Sequence, residues 1–413
     1  MSPIYCNLVD QLLPMKQIVG IFMLSFICLK LNAQTDSATF TKIAEQVKKQ
    51  YAPDKRSVYF NLRFKQDSVW LESSSNIALQ EFDKVKPNLP NLKFQSTLVP
   101  NESLGGLEYG VANLSVSNNR ANPQHAAELM TQMLLGTPVR ILKKQGGFYL
   151  VKTPDNYLSW TDGSAIKPMT KEQFEAWQSA EKVIFTADYG HSYTGPTLNG
   201  YRVSDLVKGN ILQILAYGKV MSKVIYPDGR IAYLETKNVM PYKKWLKELN
   251  PNAKSIIKTA ETLIGVPYLW GGTSLKGVDC SGFTKTAYFL NGVIIPRDAS
   301  QQALIGTALD VLENDSISVE KCLKNLKAGD LLFFSAAKRR GINGGRVSHT
   351  GIYMGNGEFI QSAGMVKVSS LVPTALNYDA GQSVTLVGAR RILTAIGQPE
   401  IIRVDQHDWY GKN

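Results

Sequence analysis

"KGVDCSGFTK", residues 276–285, decides how this chain is read. A single cysteine follows an aspartate, precedes Ser-Gly, and opens an apolar run. The surrounding "GVPYLWGGTSLKGVDCSGFTKTAYFLNG" predicts a glycine-rich approach and then a helix. Asp279 is placed to cap that helix, Phe283, Thr286, Ala287 and Leu290 form its buried stripe, and Asn291-Gly292 stop it. Cys280 then falls in the first turn, where unsatisfied N–H groups and the positive end of the helix dipole favour a thiolate. A cysteine that only packs belongs within the stripe. Position alone makes Cys280 a candidate nucleophile.

A thiol nucleophile needs a base, usually an imidazole. The apolar-periodic domain around Cys280 contains one histidine, His349, in "GRVSHTGIYMGNGEFIQSAG". This reads as a hairpin turning at Gly-Asn-Gly. With residues 355–357 as a three-residue loop, Met354 pairs with Glu358 and residue 351 faces Gln361. His349 then lies diagonally from Gln361 on one face, about 7–8 Å apart at the backbone and within reach of long polar side chains. Gln361 is thereby the candidate third member, orienting the ring.

The whole chain narrows the chemistry. Its 413 residues, 44% hydrophobic and 19% charged, describe a globular protein of several domains. Lys16 precedes "QIVGIFMLSFICL" and then "KLNAQ", which reads as a secretory signal over residues 1–33, too short for a comfortable membrane span. Removing it leaves Cys280 and Cys322, without paired C-x-x-C spacing, in a chain with four histidines, so neither a metal nor another cofactor is expected. Cys322 reads as a small buried side chain. A formal charge of +12 in an exported protein suits anionic cell-envelope material rather than nucleic acid. The expected location is periplasmic or extracellular, in association with the envelope, with no membrane span in the mature chain.

Along the chain, residues 34–106 read as a small α+β region of helix, two strands, helix and strand. Residues 107–170 change to short strands and turns, suggesting a small barrel. Residues 171–244 repeat it: "GTPVRILKK…FYLVKTPDNYLSW" parallels "GNILQILAY…SKVIYPDGRIAYL", an internal duplication. A helical pattern placing Ile256, Ile257, Ala260, Leu263 and Ile264 on one face opens a domain over 245–395, and 396–413 reads as a polar tail.

"YLWGGTS…DCSGF…PRDASQQ…LKAGDLLFF…VSHTGIYMGNGEFIQSAG" closely resembles the NlpC-type cell-wall cysteine peptidases, a papain-like superfamily. The resemblance implies an α+β fold: a papain-like catalytic domain behind two SH3-like barrels and the small N-terminal region. It implies Cys280 as nucleophile, His349 as base and Gln361 at a third position where histidine is commoner. The architecture resembles γ-D-glutamyl-L-diamino acid endopeptidases, which hydrolyse the D-Glu–diamino acid bond of murein stem peptides and require a free N-terminal L-Ala. By that resemblance Glu128, Tyr157 and Asp279 receive the alanine amine, and Trp270, Ser281 and Ser300 line the substrate cleft. The partner is then a murein peptide met by a monomer. Lys338, Arg339, Arg340 and Arg346 form a basic loop close to His349 in sequence. The rival readings are a non-catalytic murein-binding protein, against which intact Cys280 and His349 weigh, and a papain-like amidase or acyltransferase.

Overall fold

The computed structural model describes residues 36–89, 92–338 and 346–410. The expected signal segment and Arg339 and Arg340 lie outside the described residues. The chain divides into two compact units that meet in sequence between Val99 and Pro100.

The first unit follows the period-two and period-3.6 patterns of its sequence. A helix over 36–51 precedes the hairpin Phe60–Lys65 and Ser68–Ser73, then helix Asn76–Val85 and strand Lys93–Leu98, which runs parallel to the middle strand. Alternate residues of the middle strand, Val69 and Leu71, pack with Phe40, Ala78 and Phe82 in one core. The unit ends earlier than the sequence suggests. Leu104 is 6% exposed and belongs to the core of the first barrel with Ala112, Val139 and Ile141, so apolar burial draws 100–106 into the second unit.

Two seven-stranded barrel-like sheets begin the second unit. In both, the seventh strand lies beside the first, followed by the fourth, fifth, sixth, second and third. The fourth to sixth strands are Pro138–Gln145, Phe148–Lys152 and Leu158–Asp162 in the first, and Ile211–Ala216, Met221–Ile225 and Ile231–Glu235 in the second. These are the segments whose sequences run parallel, and their common topology supports a duplication. A helix, Lys171–Ser179, joins the barrels, its start satisfied by a Thr170–Gln173 capping box.

The last domain packs helix Cys280–Phe289 against an antiparallel sheet ordered Thr307–Leu309, Leu386–Arg391, Leu331–Phe334, His349–Gly355, Glu358–Ala363, Met365–Ser370. Phe283 and Ala287 from the helix bury against Ile352 and Ile360 from two adjacent strands. Ile256, Ala260 and Leu263 join this core, but Ile264 is 52% exposed because helix Ala253–Glu261 ends before reaching it.

The hairpin loop differs from the sequence expectation. Gly355 pairs with Glu358, leaving a two-residue turn, Asn356-Gly357, with φ of 52° and 82°. Both central residues at positive φ are the signature of a primed turn. The register shifts between Tyr353 and Gly355, so Met354 is the extra residue of a bulge. Beyond it Ile352 faces Ile360, and the pairing needed to set His349 near Gln361 is retained.

The final segment is no loose tail. Ile402–Arg403 pairs with Val293–Ile294, Val404 is fully buried, and Tyr410, 4% exposed, packs on Phe289. The His407 ring bonds the Pro154 carbonyl of the first barrel at 3.1 Å. The segment straps the catalytic-type domain to that barrel.

Candidate active site

The helix that carries Cys280 starts at Asp279, whose Oδ1 accepts from the Gly282 N–H at 2.7 Å. Gly282 has no room for a side chain: a Cβ there would lie 1.9 Å from the Gly272 carbonyl oxygen. The loop 271–278 therefore lies directly on the helix. Gly271 donates its N–H to Asp279 Oδ2 at 2.9 Å. The sequence Asp-Cys-Ser-Gly thus specifies a cap, a first-turn position and a close backbone approach.

Cys280 is free and 6% exposed. Burial pushes its thiol up to about 12, the neighbouring Asp279 charge acts in the same direction, and the Thr350 N–H, the Arg297 guanidinium and the Ser281 N–H pull back. Burial thus opposes the helix terminus and favours the neutral thiol over the thiolate that sequence position favours. The Thr350 contact shows how the sheet meets the nucleophile: strand His349–Gly355 brings its second residue to the sulfur.

His349 Nε2 and Gln361 Oε1 are 2.6 Å apart. Gln361 is fully buried, and its Nε2 donates to Ser369 Oγ at 2.9 Å and to Asp379 Oδ2 at 3.2 Å. The amide oxygen therefore faces the imidazole, which makes Nε2 the protonated nitrogen and leaves the Nδ1 lone pair to act as a base. His349 lines a cavity of about 310 Å³ with Tyr268, Phe334, Ser348, Gln382 and Thr385. Burial, then the Cys280 and Asp279 charges, push the Tyr268 phenol above its ordinary value and keep it protonated.

Asp279 differs from its expected place in an amine pocket. Its carboxylate is occupied by the buried Arg297, at 3.1 Å to Oδ1 and 2.6 Å to Oδ2, besides the two backbone donors. Arg297 also reaches Ser281 Oγ at 3.0 Å and Thr131 of the first barrel at 3.0 Å. Ser281 is thus held among polar groups behind the nucleophile. The carboxylate that meets Tyr157 is Asp298, with Tyr157 Oη donating to Oδ2 at 3.2 Å. Trp270, 60% exposed, donates Nε1 to Glu128 Oε1 at 2.9 Å. Glu128 and Tyr157 from the barrel meet Trp270 and Asp298 across one seam, with half-buried Ser300 in the short helix Ala299–Gln302 that Asp298 caps. Gln132 closes the seam's base, accepting from the Thr273 N–H at 3.0 Å. Lys338 donates to the Leu386 carbonyl at 2.8 Å and the Arg346 carbonyl accepts from Ser335 at 3.0 Å. Cys322 is fully buried in helix Val319–Asn325 among Leu332, Tyr353 and Phe359.

Sequence reading passed over Arg297, Asp298 and Asp379. The first two stand in the quoted "PRDASQQ", and a signal existed: Asp three residues before Gln is a capping box, which marks where a carboxylate is held. Asp379, three residues before Gln382, carries the same spacing and caps helix Ala380–Ser383.

Residues 265–380 match the NlpC/P60 family, and residues 119–166 match the bacterial dipeptidyl-peptidase Sh3 domain. The chain is 30% identical over 275 residues to a Bacillus cereus gamma-D-glutamyl-L-lysine dipeptidyl-peptidase, covering 65% of this chain and 77% of that protein. It is 38% identical over 133 residues to an Escherichia coli murein DD-endopeptidase, covering 32% and 42%. Among solved structures, a Bacillus cereus NlpC/P60 family protein superposes with a TM-score of 0.55 at 24% identity, covering 68% of this chain and 99% of that one. An NlpC/P60 endopeptidase from Photobacterium damselae subsp. piscicida superposes at 0.52 with 18% identity, covering 70% and 74%.

Proposed function

We propose, since this chain belongs to the NlpC/P60 family, that it is a cysteine peptidase cleaving the γ-D-glutamyl–diamino acid bond of murein stem peptides. The observation that carries the reading is one strand start: His349, locked on Gln361, and the Thr350 N–H beside the Cys280 sulfur. His349 Nδ1 takes the thiol proton as sulfur adds to the γ-carbonyl of D-Glu. The Cys280 N–H, unpaired within the helix by its N-terminal position, and the Tyr268 phenol supply donors to the oxyanion. Collapse breaks the C–N bond, and His349 returns the proton to the departing amine. Water then hydrolyses the thioester by the same base, freeing Cys280 and L-Ala-D-Glu.

The seam between first barrel and catalytic domain supports recognition of a free alanine amine. Glu128 and Asp298 supply carboxylates, Tyr157 a hydroxyl, and Trp270 a wall. An acylated amine loses its charge and adds bulk there. A peptide released from the cell wall as substrate agrees with export through the segment ending near Ala33. The test is L-Ala-γ-D-Glu-diaminopimelate against its N-acetyl form. We expect release of diaminopimelate, and a loss of at least roughly a hundredfold in kcat/KM on acetylation, from polar groups left unpaired plus the clash. Binding without release rejects the peptidase, and equal rates reject the amine pocket.

A further inference from the structure

We propose that Asp379 is a positioning residue for the base: its carboxylate fixes which end of the Gln361 amide faces His349, and hence which imidazole nitrogen holds the proton. The inference rests on the Cys280–His349–Gln361 reading of the site. Asp379 lies after strand Met365–Ser370 and starts the short helix Ala380–Ser383. Its two oxygens are divided. Oδ1 accepts from the Gln382 N–H at 2.9 Å, and Oδ2 accepts from Gln361 Nε2 at 3.2 Å. The Asp379 N–H in turn donates to the Ser370 carbonyl at 3.1 Å, tying the residue to the strand beside Gln361.

A buried primary amide can sit in either of two orientations, and its neighbours choose between them. Ser369 cannot choose, because a hydroxyl donates or accepts as required. A carboxylate is an acceptor only. Turned over, Gln361 would set its oxygen against Asp379 and its NH2 group against His349 Nε2. The ring would then accept at Nε2 and carry its proton on Nδ1, the nitrogen needed as the base. Among the described residues bonded to Gln361, Asp379 is the one that forbids this state, and its charge makes the preference stronger than a neutral acceptor would. Gln361 needs such a partner because, unlike a carboxylate, it offers a donor face and an acceptor face of nearly equal shape.

The test is a double-mutant cycle on the full chain, with L-Ala-γ-D-Glu-diaminopimelate as substrate. Asp379→Ser keeps a good helix cap but removes the carboxylate from Gln361. Asp379→Asn, which preserves size and cap, is measured in parallel in case the serine variant folds poorly. Either is expected to lower kcat at least roughly tenfold while KM changes within about threefold, because the fault lies in the base and not in binding. In a Gln361→Ala background, where there is no amide to orient, the same substitution should cost no further activity. Equal losses in both backgrounds would assign Asp379 a merely structural role and overturn the proposal, as would native kcat in both single variants. Native turnover in Gln361→Ala instead removes the third member itself, which is a different failure from loss at Gln361 with none at Asp379.

Discussion

At Cys280 two influences oppose one another, and the magnitudes decide between them. A helix N-terminus lowers a thiol, yet the side chain is 6% exposed and burial holds it up to about 12. Burial thus favours a neutral thiol at rest, and in the proposed mechanism His349 removes its proton during attack. Alkylation of Cys280 by iodoacetamide, followed by peptide mass spectrometry, should therefore rise with pH across about 7–10 without a plateau, since only the thiolate reacts. A plateau reached near neutrality would mean a preformed thiolate–imidazolium pair. The direction follows from the shift: a raised thiol pKa leaves the anion scarce until the pH approaches that value. Cys322→Ala should leave turnover close to native, because that thiol is enclosed by Leu332, Tyr353 and Phe359 away from the site. Loss of turnover with an unchanged melting curve would contradict this.

The elements follow from local sequence where the determinants lie close together. Asp279, the Cys280 helix stripe and the Asn291-Gly292 stop sit within fourteen residues, and the helix is found where they place it. The hairpin was legible in its pairing and not in its loop, because Asn356-Gly357 can turn alone when Met354 bulges. The pairings of Arg297 with Asp279 and of Asp379 with Gln361 were not legible, since the partners lie eighteen residues apart in sequence and meet only in the folded sheet and loop. Across the seam Trp270 meets Glu128 and Tyr157 meets Asp298, and the carboxylate of Asp298 was not singled out by the sequence reading. One element-scale prediction follows from the contact of Gly282 with Gly272. Gly282→Ala would need the helix to leave the loop by more than 1 Å to relieve a 1.9 Å approach, which no rotamer can absorb. We expect a fall in stability of about 1–3 kcal/mol or more and loss of most activity, because Asp279 and Trp270 move with the loop. Wild-type melting with wild-type turnover would show that the close approach is unimportant.

The second unit behaves as one body because its parts exchange charges and chain. Asp155 of the first barrel pairs with Lys285 of the Cys280 helix, with side chains 2% and 17% exposed. Burial alone would raise the Asp155 carboxyl, but Lys285 and the Thr153 hydroxyl outweigh it and hold it below the usual range. A depressed carboxyl contributes stability that is present above its unfolded pKa and lost as pH falls through the folded value, so this contribution weakens below about pH 4. Asp155→Asn or Lys285→Met alone should cost about 3–5 kcal/mol in urea unfolding, and the double variant less than their sum. Strict additivity would mean that the pair does not act as a pair. Removing residues 402–413 should cost a further several kcal/mol, about 1.5–3 for each buried apolar side chain lost, Val404 and Tyr410 among them. Unchanged unfolding of the truncated chain would deny the strap that role. A polypeptide leaves the ribosome from its amino end, so the strap emerges after both barrels and after Cys280, His349 and Gln361. The nascent chain can carry the proposed triad while the proposed substrate seam still lacks this clasp.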